Sequence, residues 1–174
     1  TYLGASVPTA YILMRISKQV DIQNIGSGNV GTSNVIQHGG LALGLFGGAL
    51  DCLIKGSLPI LLLKHLGYEI EIQAVIALVS IVGHNWSVYI KFRGGRGLAT
   101  SIGILLGLAM WVELLALSIL VIFFGRLLCK DTGPWSLIAF IVMPVISILS
   151  HRPEAVSLLM LGMLLLVIFK RFTA

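Results

Sequence analysis

Long apolar runs alternate along the chain with short interruptions that are rich in glycine or basic residues. The runs are Thr1 to Met14, Leu41 to Leu63, Ile70 to Ile90, Leu98 to Met110, Val112 to Phe124, Trp135 to Leu149 and Ala155 to Phe169. They neither alternate strictly, as a half-buried strand does, nor keep to one face, as a surface helix does. A helix crossing the hydrocarbon core needs about 20 mostly apolar residues, so each run is a candidate span. The stretch from Leu98 to Phe124 is too long for one crossing at a rise of about 1.5 Å per residue. A break near Met110 to Glu113 is therefore expected. The pattern predicts an all-α, polytopic membrane bundle of about seven spans, forming a single domain over residues 1–174. Because the chain opens inside an apolar run and stops just after a basic pair, both ends are expected to be cut relative to the natural protein.

Composition agrees with lipid as the solvent. Apolar residues make up 57% of the 174, charged residues 11%, and the mean hydropathy is +0.99. A soluble domain of this size needs more polar surface. The net charge of +5 points first to loops facing a cytoplasm. Threading seven spans puts Arg15, Lys18, Lys91, Arg93, Arg96, Arg126, Lys130, Lys170 and Arg171 on one side, leaving only Lys64 and Arg152 opposite. That split predicts a bacterial cytoplasmic membrane with the basic loops inside. The cations are scattered over loop tips, which excludes a nucleic-acid face. Cys52 and Cys129 lie in no CxxC or CxxH pattern, so neither a metal site nor a disulfide framework is predicted. Both read as small packing residues. His151-Arg152, in a short loop on the far side, reads as solvated.

The unusual loops lie on the basic side. Gly26-Ser27-Gly28-Asn29-Val30-Gly31 joins backbone freedom to small hydrogen-bonding side chains, and Thr32, Ser33 and Asn34 open a short helix. Such a turn can aim amides at an oxyanion, and a helix N-terminus adds positive potential. A flexible turn is the plainer alternative. In Lys91-Phe92-Arg93-Gly94-Gly95-Arg96-Gly97 three cations surround glycines just before another helix start. Arg96 offers a planar fork for phosphate oxygens, while a positive-inside anchor would explain the charge but not the glycines. The Walker pattern GxxxxGK[ST] is absent. Asp51 and Lys55, four residues apart inside a span, each cost about 2.5–3.5 kcal/mol at a helix centre. They read either as a structural pair or as a pair beneath the anion site. His84 ends a span. No H-x4-D or GxSxG sequence is present, which argues against the acyltransferases and serine hydrolases that use them.

Taken together, these segments resemble the acyl-phosphate:glycerol-3-phosphate acyltransferases, bacterial membrane enzymes of phospholipid synthesis. Tyr2-Leu3-Gly4 with Val7-Pro8-Thr9-Ala10-Tyr11, Asp21-Ile22 with GSGNVG and Asn34, Asp51 with Lys55-Gly56 and Pro59, and Gly83-His84 with Phe92, Gly94-Gly95-Arg96-Gly97 and Ala99-Thr100 carry the likeness in order. The resemblance implies a seven-span enzyme moving a fatty acyl group from acyl phosphate to the 1-hydroxyl of glycerol 3-phosphate, giving lysophosphatidic acid, with no metal and no cofactor. It implies catalytic roles for Ser27, Asn29 and Arg96. Substrate binding falls to Gly26, Gly28, Gly31, Ser33, Asn34, Gln37, Asp51, Lys55, His84, Gly94, Gly95, Gly97, Ser136 and Arg171. The partners are the two phosphorylated substrates and membrane lipid; the sequence sets no oligomeric state.

Three departures bear on activity. Gln37 stands where the family usually has Arg, Arg96 where it has Lys, and Lys170-Arg171-Phe172-Thr173 where a His-Arg-x-Asn signature belongs. A non-catalytic or altered homologue that binds phosphorylated lipid precursors is therefore the alternative. An anion transporter, suggested by Asp51 and Lys55, comes third, since the polar residues gather at one face and not at the midplane of broken helices.

Overall fold

Every apolar run is helical in the computed structural model, which describes residues 1–129 and 132–173, the side chain of Arg126 excepted. Lys130 and the Arg126 side chain, both counted in the basic set, lie outside the described residues. The first run makes α1 (Tyr2–Ser6) and α2 (Thr9–Lys18). It breaks at Pro8, whose ring removes a helix donor and clashes with the preceding turn. After a loop come α3 (Thr32–Gly39) and α4 (Leu41–Leu50). A π-helical stretch, Asp51–Ser57, carries α4 into α5 (Leu58–His65) as one long rod. Then follow α6 (Ile70–Asn85), α7 (Leu98–Gly107), α8 (Trp111–Ser118), a second π-helical stretch (Ile119–Leu128), α9 (Thr132–Leu149) and α10 (Glu154–Phe172).

Among the described residues, four stretches are long and apolar enough to cross a membrane: Leu41–His65, Ile70–Ile90, Thr132–Leu149 and Glu154–Phe172. The expected break falls at Leu108–Met110, slightly early, where Ala109 takes a left-handed φ of 57°. By length α7 rises only about 15 Å, half the hydrocarbon thickness of about 30 Å. It lies beside the π-helical stretch of the long rod, so it begins near the middle of that rod and not at its end. Gly56 and Gly103 set this crossing. A Cβ on Gly103 would stand 1.9 Å from the Cys52 carbonyl oxygen, and one on Gly56 would stand 2.4 Å from that of Thr100. Small residues let helices approach closely in a membrane, and Ser57 Oγ adds a 2.8 Å hydrogen bond to the Gly103 carbonyl.

Two apolar cores result. The larger joins α5 to α10 through side chains such as Ile81, Ile104, Leu117, Phe140, Met143 and Met160. The smaller packs α2 and α3 under the first Gly-rich loop, around Met14, Ile22, Val30 and Val35. Outside, large apolar side chains such as Phe46, Leu53, Leu61, Ile122, Ile148 and Leu165 are exposed, as a lipid-facing belt requires. Cys129 is also exposed and Cys52 half-buried, so neither is the packed core residue expected.

Contacts sort the connections into two ends. At one end, Gln23 Nε2 donates to the Arg93 carbonyl at 3.2 Å, the Lys170 ammonium lies over the Trp86 ring, and Arg171 donates to the Gly133 carbonyl. At the other, Arg152 grips Glu113 through two hydrogen bonds of 2.9 and 3.0 Å. Those bonds raise the Arg152 pKa further above its ordinary value. Arg152 is thus paired and not simply solvated, because Glu113 is wholly buried and needs a cation.

Candidate active site

The first Gly-rich loop is shaped by Asn34. This buried residue of α3 donates through Nδ2 toward the carbonyls of Ile22, Ile25 and Asn29 at 3.3, 3.0 and 3.1 Å. Its Oδ1 accepts from the Ser27 amide at 3.3 Å. Expected among the substrate contacts, Asn34 is instead saturated by backbone and holds the loop in place. Gly26 must be glycine: it takes a φ of 57°, and a Cβ there would stand 2.3 Å from both Asn34 Oδ1 and His38 Nε2. The Ser27 hydroxyl accepts from the Asn29 amide at 3.4 Å, and Gly28 donates to the Ile25 carbonyl. Among the described residues, no hydrogen bond uses the amides of Val30, Gly31, Thr32 or Ser33, the ones a helix start leaves open. Ser33 and Gln37, one turn apart on α3, are both exposed.

The second loop corrects an expectation. Gly94 and Gly95 do not turn their amides toward an anion; they donate to the carbonyls of Asn85 and His84, both at 3.1 Å. The physical reason is the end of α6. Its last carbonyls lie inside an apolar bundle and need donors, and the returning loop supplies them. Gly95 also allows close approach: a Cβ there would stand 2.2 Å from His84 Nε2 and 2.9 Å from the Val30 carbonyl oxygen. The two loops therefore meet at His84. Arg96 is exposed, between the buried Gly95 and Gly97.

Beneath this junction sit Asp51 and Lys55. Lys55 Nζ is 2.6 Å from Asp51 Oδ1 and 3.4 Å from His84 Nδ1, and His84 Nδ1 is 3.8 Å from Asp51 Oδ2. All three are buried. Val30, Gly94 and Gly95 close a cavity over them of about 10 Å³, space for about one water. A phosphoryl group needs the two loops to part. An open apolar groove of about 330 Å³ adjoins the cavity through Pro8 and Ile90, with Val7, Tyr11, Ile12 and Tyr89 along it.

Ser136 and Arg171 converge elsewhere. Both donate to the Gly133 carbonyl, Ser136 Oγ at 2.7 Å, tying the start of α9 to the end of α10. The polar residues buried here to which the sequence assigned no site role are Asn85, Thr100, Ser101 and Lys170. The first three are fully buried around the start of α7, with polar atoms lacking any partner among the described residues, a rarity that calls for a reason. Lys170 is 2% exposed. Its place was readable: with Val156, Met160, Met163 and Val167 it follows the helical period of the buried face of α10.

Comparison with known proteins places these features. The family described as "Glycerol-3-phosphate acyltransferase" matches residues 1–173. "Glycerol-3-phosphate acyltransferase 5" of Dehalococcoides mccartyi is 37% identical over 179 aligned positions, covering 99% of this chain and 75% of that protein. "Glycerol-3-phosphate acyltransferase 2" of Moorella thermoacetica is 40% identical over 87% of this chain and 76% of its own length. "Glycerol-3-phosphate acyltransferase 4" of D. mccartyi is 48% identical over 67% of this chain, which spans half of that protein. Two crystal structures of PlsY (YgiH), an integral membrane glycerol 3-phosphate acyltransferase, superpose on this fold. The glycerol 3-phosphate form gives a TM-score of 0.83 at 27% identity, over 99% of this chain and 84% of that one. The lysophosphatidic acid form gives 0.81 at 25% identity, over 98% and 83%. The chain belongs to the glycerol-3-phosphate acyltransferase family and is a helical membrane protein.

Proposed function

We propose that the acyl transfer of this family takes place here where the two Gly-rich loops meet over Asp51, Lys55 and His84, with acyl phosphate as donor and glycerol 3-phosphate as acceptor. The 1-hydroxyl oxygen attacks the acyl carbonyl carbon, the bond from that carbon to the phosphate oxygen breaks, and phosphate leaves. The hydroxyl proton passes to the departing phosphate, so no separate base is required. An acyl phosphate is already activated, and holding it against the hydroxyl with cations and open amides supplies most of the acceleration. Lys55 and Arg96 with the amides of Val30 to Ser33 are the phosphate partners, Ser27 and Asn29 flank them, and Asn34 and the glycines position the loops. The apolar groove along Tyr11 and Tyr89 takes the acyl tail. The membrane is the bacterial cytoplasmic one with the loops inside, a reading supported by the nine-to-two division of loop cations.

One observation carries this reading. Two segments about 65 residues apart in sequence (Gly28–Gly31 and Gly94–Gly97) converge on a buried, charged cluster next to an apolar groove, the combination two phosphorylated substrates and a lipid tail need. The experiment is reconstitution into lipid vesicles with palmitoyl phosphate and labelled glycerol 3-phosphate. Labelled lysophosphatidic acid with equimolar phosphate is expected. Folded protein that binds both substrates but releases neither product would favour the binding homologue instead.

A further inference from the structure

Asn85, the last residue of α6, touches both ends of the turn that carries Arg96. Its backbone carbonyl accepts from the Gly94 amide at 3.1 Å. Its side chain stands against Gly97, where a Cβ would lie 2.9 Å from Oδ1 and 3.5 Å from Nδ2. Gly97 takes a left-handed φ of 77° and directly precedes the first residue of α7. Arg96 is exposed between these two anchored points.

The amide of Asn85 is costly where it sits. The residue is fully buried, and neither side-chain polar atom has a hydrogen-bond partner among the described residues. A buried polar group without a partner destabilises a fold, whereas an apolar side chain of similar shape carries no such cost. Across from it, no side chain among the described residues caps the start of α7, and the opening amides of a helix lack partners within it. The Ser101 hydroxyl, one turn beyond Gly97, is also buried with no partner among the described residues. An acceptor supplied by α6 thus faces donors at the start of α7. The contact matters most once a phosphoryl group enters. The cavity beneath the loops has space for about one water, so the Gly94 end of the turn must lift from the end of α6. The Asn85 side chain then remains to hold the Gly97 end.

We infer that Asn85 is a positioning residue for Arg96: its side-chain amide caps the start of α7, so the turn hinges at Gly97 and presents the guanidinium in one orientation. The inference rests on the acyl-transfer reading, which wild-type turnover tests separately. Asn85→Leu, similar in size and free of unpaired polar atoms, should melt no lower than wild type in detergent. Its kcat should fall about 10- to 100-fold, the cost of a misplaced group. KM for either substrate should change less than about threefold, because the loss falls on the transition state. Asn85→Ser, which keeps a capping acceptor, should recover part of the lost kcat. Coupling to Arg96 separates positioning from packing. A planar guanidinium depends on its orientation, whereas an ammonium is a point charge on a flexible stem. In an Arg96→Lys background, Asn85→Leu should therefore cost less than about threefold in kcat. Equal losses in both backgrounds would make Asn85 a packing residue and overturn the inference. An unchanged kcat, or a lower melting temperature in both Asn85→Leu and Asn85→Ser, would overturn it as well.

Discussion

The protein buries charge at both ends of its bundle, and the two ends solve the problem differently. At the far end Glu113 and Arg152 form a closed pair: one carboxylate, one guanidinium, two short hydrogen bonds, and Arg152 still partly in solvent. Nothing is left over. At the loop end, among the described residues, Asp51 is the single buried carboxylate among Lys55, His84 and Lys170, with several polar atoms lacking a partner. A balanced pair clasps helices together, whereas buried cations that outnumber the described carboxylates beneath the two Gly-rich loops fit the anion site proposed there. Burial alone does not tell the two apart; the charge count does.

The largest effect that could break this comparison comes from cutting each pair. Removing one member of a buried pair costs about 3–5 kcal/mol. Lys55→Met should abolish turnover even in vesicles that contain folded protein. Glu113→Gln should lower the melting temperature yet leave activity per folded molecule near wild type. Equal loss of activity in both would erase the distinction between site and clasp.

Next in size is Gly95→Ala. The new methyl would meet His84 Nε2 and the Val30 carbonyl, forcing the two loops apart at a cost of about 1–3 kcal/mol. We expect at least about a tenfold fall in kcat, with wild-type kinetics arguing that the loop junction is irrelevant. Asn34→Ala follows. It removes the donor and acceptor that shape the first loop, leaving buried carbonyls unsatisfied at about 1–3 kcal/mol. Its expected signature is a higher KM for glycerol 3-phosphate and faster proteolysis between Gly26 and Gly31, neither of which a substrate contact alone would give together. The smallest effect belongs to Gln37→Arg. It adds a cation to the exposed face of α3 beside Ser33, and a rise of a few-fold in kcat/KM, weaker at high salt, is expected. No change would place that face outside the substrate path.

Much of the architecture was legible because lipid imposes a simple rule. Backbone groups in hydrocarbon must bond within their own helix, so long apolar runs become helices, and the break within Leu98 to Phe124 follows from length. What did not follow was the depth and wiring of the site. The glycines at 94 and 95 read as substrate-binding residues, yet their amides cap the end of α6. That depends on α6 stopping at Asn85 inside the bundle, which no local pattern records. Asn34 read as a ligand contact, yet it is consumed by carbonyls up to twelve residues away.

Sequence by itself therefore determined the solvent, the helices and the family, since each is written in composition or in short, ordered motifs. Only the tertiary structure decided which polar groups are already spent on holding the loops and which remain unpaired. The physical reason is that hydrogen-bond satisfaction belongs to pairs of groups distant in the chain. Lys170 and Arg171 are adjacent in sequence, and a single step of about 100° around α10 buries one beneath Trp86 and sends the other to the Gly133 carbonyl in the first turn of α9.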